Sequence, residues 1–135
     1  MFDLSSLNYV AIVVAIVATY ALGALWYSPI GFGKMWMAEL GKTQEQLGSP
    51  VKPMLVSFAT GALTVVSMAL LMSLVPEPNW SRGLCIGGLV GVGFIATAMA
   101  SDYAFCGYSM RFYLIQTGYR VVYALIMGVI LGAWQ

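Results

Sequence analysis

The sequence predicts an all-α polytopic membrane protein: four transmembrane helices in an antiparallel bundle, with a short interfacial helix between the first and second. Three observations carry this. Of the 135 residues, 61% are apolar and only 8% are charged, against about 45–50% and 25% in a soluble domain. Four apolar stretches each reach the roughly 20 residues that a helix needs to cross a hydrocarbon core of about 30 Å. Proline marks the end of the first stretch, at Pro29, and both ends of the second, at Pro53 and Pro76. Residues 1–135 read as one membrane domain.

The first span covers residues 8–28 and carries no charge. It closes on Trp26-Tyr27-Ser28-Pro29, where proline ends the helix and Trp26 and Tyr27 suit the headgroup level. The opening residues hold Asp3 and no basic side chain, so the positive region of a cleavable signal is missing and the span reads as a retained anchor. Residues 30–50 form the longest connection. Within it Phe32, Met35, Trp36 and Leu40 can share one face, which predicts a short helix over Gly33–Leu40 lying in the interface plane. Thr43 and Gln46 have the spacing of a capping box. The second span covers residues 54–75, between Pro53 and Pro76. The third covers 84–105 and the fourth 112–134, ending on Trp134. Trp26, Tyr27, Pro29, Trp36 and Trp134 are the expected interface anchors.

Lys34, Lys42, Lys52 and Arg111 fall on one side of these spans, and Arg82 on the other with both termini. Basic loops favour the cytoplasm, so loops 1 and 3 are expected there and the termini outside, in a cytoplasmic (inner) membrane.

Small residues at spacing four mark faces where membrane helices pack closely. The third span carries Gly83, Gly87 and Gly91 in an unbroken series, and the fourth ends with Gly128 and Gly132. Two readings follow: packing within one bundle, or a face that builds a homo-oligomer. Four short helices enclose little interior, so a chain that moves a solute would need a second copy. The partners expected are the lipid bilayer, further copies of the chain, and a larger membrane complex in the alternative reading.

Absences exclude several functions. There is no histidine, and the acids Asp3, Glu39, Glu45, Glu77 and Asp102 are widely separated. No metal site, cofactor or catalytic constellation is expected, and an enzyme ranks last. With net charge +1 and no basic run, nucleic acid is not an expected partner. Cys85 and Cys106, on one helix, would lie about 31 Å apart, too far for a disulfide.

Two charges fall inside the spans. Arg120 lies about 12 Å along the axis from Phe112, at a depth where an arginine costs roughly 2.5–3.5 kcal/mol. Asp102 lies about 4.5 Å from the end of the third span, and both side chains lean toward one another. Tyr113, Gln116, Arg120 and Tyr123 form a polar stripe, and an ideal helix puts Gly87, Gly91, Ala98 and Asp102 on one face. This cluster is either a salt bridge fixing the helix hairpin, or a polar cavity that binds or passes a small polar or anionic solute at Arg120. The alternative to both is an accessory subunit without transport of its own.

The run Leu22-Gly23-Ala24-Leu25-Trp26-Tyr27-Ser28-Pro29, then Gly33-Lys34 and Trp36-Met37, and the close from Gly118-Tyr119 through Met127-Gly128 to Gly132-Ala133-Trp134 resemble a family of small bacterial integral membrane proteins known only as a domain of unknown function. The resemblance implies a four-helix membrane protein. It carries no activity, substrate or catalytic residue.

Overall fold

The computed structural model describes residues 2–134, and among them every regular element is helical. After a 3-10 turn at Leu4–Ser6 come α1 (Tyr9–Trp26), α2 (Gly33–Leu40), α3 (Gln44–Leu47) and α4 (Val51–Met72). A long third helix follows in three parts: α5 (Trp80–Gly88), a π-helical stretch (Leu89–Ala96) and α6 (Thr97–Cys106). The chain ends in α7 (Met110–Ala133). Tyr9–Trp26, Val51–Met72, Trp80–Cys106 and Met110–Ala133 are long and apolar enough to cross a membrane, which supports membrane integration.

Side chains near each end explain where the helices start and stop. Asn8, Asn79 and Ser109 cap the N-termini of α1, α5 and α7 by accepting backbone N–H groups of the first turn. The capping box at Thr43 forms, with Gln46 N–H donating to Thr43 Oγ1 at 3.3 Å and Thr43 N–H to Gln46 Oε1 at 2.9 Å. Gly41 and Gly107 end α2 and α6 in the left-handed conformation, at φ 69° and 73°. The predicted helix over Gly33–Leu40 is present with those bounds. α4 begins earlier than Pro53 suggested, because proline in the first turn gives up only an N–H that has no helical partner.

α7 is the hub. Its glycines meet those of α5 so closely that main chains touch. A Cβ on Gly132 would lie 2.5 Å from the Asn79 carbonyl oxygen and 3.0 Å from Gly83 Cα, and one on Gly91 3.1 Å from Val121 Cα. The glycine series is thus spent inside one chain. α1 lies along α7, with Asn8 Nδ2 reaching the Trp134 carbonyl at one end (3.3 Å) and Trp26 Nε1 the Ile115 carbonyl at the other (3.0 Å). The core gathers Ala11, Ile12 and Ala15 of α1, Val65, Met68 and Met72 of α4, and Tyr123, Met127 and Leu131 of α7. All four buried residues of α4 lie between Val65 and Met72, and residues 51–60 are exposed throughout.

The third helix departs from ideal geometry. In an α-helix each step of four residues overshoots a full turn by about 40°. A π turn bonds i to i+5 and holds more residues, which cancels that drift over Leu89–Ala96. The face that begins at Gly83, Gly87 and Gly91 therefore continues at Ile95, Met99 and Tyr103. Ile95 packs on the core, the Ala96 carbonyl accepts from Tyr113 Oη at 2.8 Å, and Thr117 Oγ1 approaches Met99 Sδ at 3.9 Å. Tyr103 stacks on Phe112 with ring centroids 5.5 Å apart.

Candidate functional site

That helix geometry overturns one expectation. Asp102 does not share the face of Gly87 and Gly91: it is exposed, as is Ala98, and among the described residues it makes no ion pair with Arg120. An ideal period of 3.6 put it toward α7; the π stretch turns Tyr103 there instead.

Arg120 stands eleventh in α7, about 15 Å from its start, near mid-helix. Its guanidinium carbon lies 5.4 Å from the ring centre of Tyr119 and 5.8 Å from that of Tyr123. Among the described residues it makes no hydrogen bond and no ion pair. Cation–π contacts contribute about 0.5–2 kcal/mol each. Two of them offset much of the roughly 2.5–3.5 kcal/mol insertion cost, yet they leave all five N–H donors without an acceptor and the charge uncancelled.

The guanidinium borders a crevice of about 30 Å³ between α1, α4 and α7. α1 contributes Ile16, Thr19 and Tyr20; α4 contributes Ser57, Phe58, Gly61 and Ala62. Thr19 is buried and its hydroxyl donates to the Ala15 carbonyl at 2.8 Å. Tyr20 and Phe58 meet edge to face across the rim, centroids 5.7 Å apart. A volume near 30 Å³ holds about two waters or one small polar group, at 10–15 Å³ apiece.

Beyond Tyr119 an aromatic layer fills the end of the bundle where α2 sits. Tyr27 packs edge to face on both Tyr119 and Trp36, at 5.5 Å each, and its hydroxyl donates to Gln116 Oε1. Trp26 lies against Phe32 at 4.7 Å and against Gly118, where a Cβ would come within 3.2 Å of its ring. The turn that sets these rings is tight. A Cβ on Gly31 would lie 2.5 Å from the Leu25 carbonyl oxygen, and one on Gly33 2.7 Å from that of Ser28. Glu39 of α2 reaches α7 directly, accepting from Ser109 Oγ at 2.6 Å and pairing with Arg111 at 3.6 Å.

The predicted polar stripe is thus divided. Arg120 and Tyr123 line the crevice, Gln116 belongs to the aromatic layer, and Tyr113 ties α7 to the third helix. Of the expected anchors, Trp26, Tyr27 and Trp36 turn inward. The Trp36 Nε1 atom is buried and has no hydrogen-bond partner among the described residues. Pro29 and Trp134 are exposed. Sequence reasoning did not place Tyr119, Tyr20 or Phe58 beside Arg120. Among the described residues no group of acids and cysteines could hold a metal ion.

A protein-family model described as "Protein of unknown function (DUF1761)" matches residues 10–132. No curated protein and no solved structure matches the chain.

Proposed function

The chain belongs to the DUF1761 family, which brings no activity with it, and from the Arg120 crevice we propose that this protein binds a small anion within the membrane. The observation that carries the reading is a permanently charged guanidinium near mid-helix with no carboxylate beside it. Ionisable side chains at that depth pair or mark a ligand path, and Arg120 has no acidic partner among the described residues. Its planar fork suits a bidentate oxyanion, while Tyr119 and Tyr123 hold it in place without competing for its donors.

The remaining architecture belongs to the same proposal. The four spans form an antiparallel bundle, as the contacts Asn8–Trp134 and Trp26–Ile115 support. α2 lies in the interface plane. The loops bearing Lys34, Lys42, Lys52 and Arg111 face the cytoplasm; the Glu39–Arg111 pair, which puts α2 at the same end of the bundle as the start of α7, supports their sharing one side. Copies of the chain assemble through surfaces other than the glycine faces, which α5 and α7 occupy within one chain. The accessory-subunit alternative has no specific observation in its favour.

The test is a thermal-unfolding series in detergent with rising acetate at fixed ionic strength. The melting temperature of the wild type rises and saturates, and that of Arg120→Gln does not. Equal shifts in the two proteins would remove the reading.

A further inference from the structure

The geometry points to a more specific ligand: we infer that the anion is a carboxylate carried on a single hydrocarbon chain, and that it enters sideways between α1 and α4. This rests on the anion-binding reading above. Tyr20, Ser57 and Phe58 line the crevice yet are exposed, so its mouth is on the flank of the bundle. Residues 51–60 of α4 are all exposed, with Tyr20 of α1 reaching Phe58 on that flank. In a membrane this flank faces hydrocarbon, where a free hydrated ion does not travel and an amphiphile does.

The wall chemistry agrees. Ile16, Phe58 and Ala62 give the crevice apolar walls, and Arg120 gives it a charge. The volume suits the head: about 30 Å³ accepts the two oxygens of a carboxylate, each close to a water in size. A planar carboxylate also matches the guanidinium fork in two parallel hydrogen bonds. Gly61 lines the crevice with open space beside it: a Cβ there meets nothing within 4 Å.

Native mass spectrometry of the full chain in non-ionic detergent tests this, with deuterated palmitate, acetate and hexadecanol as probes. The wild type is expected to retain palmitate at least tenfold more than acetate or hexadecanol at equal concentration. Arg120→Gln and Gly61→Leu each lower the palmitate-bound fraction at least tenfold, with helical content by circular dichroism unchanged. If Arg120→Gln fails to fold, Gly61→Leu decides alone. Acetate retained as well as palmitate, in an Arg120-dependent way, overturns the chain and the lateral entry while leaving anion binding intact. Palmitate retained undiminished in Gly61→Leu also overturns lateral entry. Carboxylate binding that survives Arg120→Gln overturns both readings.

Discussion

Gly83 and Gly128 meet backbone to backbone: a Cβ built on either would be driven into the other's carbonyl group, and one on Gly83 would also lie 3.2 Å from Gly132 Cα. Gly88, five residues on, is different, since its Cβ would rest 3.6 Å from Leu125 Cδ2 in ordinary contact. Gly83→Ala should therefore force α5 from α7 and cost about 1–3 kcal/mol, as overpacking does. Gly88→Ala should be neutral or stabilising by up to about 1 kcal/mol, because alanine loses less backbone entropy. Equilibrium unfolding of the two variants in mixed micelles compares them directly, and equal losses would contradict the packing described.

The third helix makes a second prediction. Asp102 is exposed and unpaired among the described residues, so Asp102→Asn should change stability by no more than about 0.5 kcal/mol. Tyr103 packs on Tyr108, Phe112 and Tyr113 at 5.1–5.5 Å, and Tyr103→Ala should cost about 1–3 kcal/mol in lost aromatic packing. The opposite order, measured by thermal unfolding, would restore the hairpin salt bridge.

Gln116 holds the aromatic layer through its oxygen. Gln116→Leu keeps the volume but leaves the half-buried Tyr27 hydroxyl without its acceptor, which should cost about 1–3 kcal/mol. The same variant leaves Arg120 and its crevice in place. Acetate-dependent stabilisation should therefore persist on a lower baseline, a separation that thermal shifts can read.

Ser109 serves two helices. It caps α7 by accepting from Phe112 N–H at 3.1 Å and donates to Glu39 of α2 at 2.6 Å. Ser109→Ala should cost about 1–2 kcal/mol, mostly the cap, and should speed hydrogen exchange in α2. Arg111→Ala removes only a partly exposed ion pair, whose contribution is about 1 kcal/mol or less. If exchange in α2 responds to Arg111 and not to Ser109, the docking is electrostatic instead.

Much of the fold is legible in the residues because the signals are local. Span length, the Thr43 capping box and the helix at Gly33–Leu40 each depend on neighbours a few positions away. The glycine series announces close packing, though which helix it meets depends on tertiary contacts. The site is less legible for a specific reason. Projecting Asp102 onto the face of Gly87 assumes 3.6 residues per turn along the whole helix, and the π stretch at Leu89–Ala96 breaks that assumption. Arg120 stands out through depth alone. Its neighbours Tyr20 and Phe58 come from helices far away in sequence, and no spacing in the chain links them to it.

The central claim is that Arg120 presents free donors to an anion. The chain has three arginines, Arg82, Arg111 and Arg120, so the Nε–H resonance of Arg120 can be assigned as the one missing from Arg120→Gln. Titrating acetate into 15N-labelled protein in micelles and following that resonance is the most direct measurement. A saturable downfield shift at Arg120, absent at Arg82, is the predicted result. An Arg120 resonance that stays fixed at every acetate concentration, in a protein that remains folded, would contradict it.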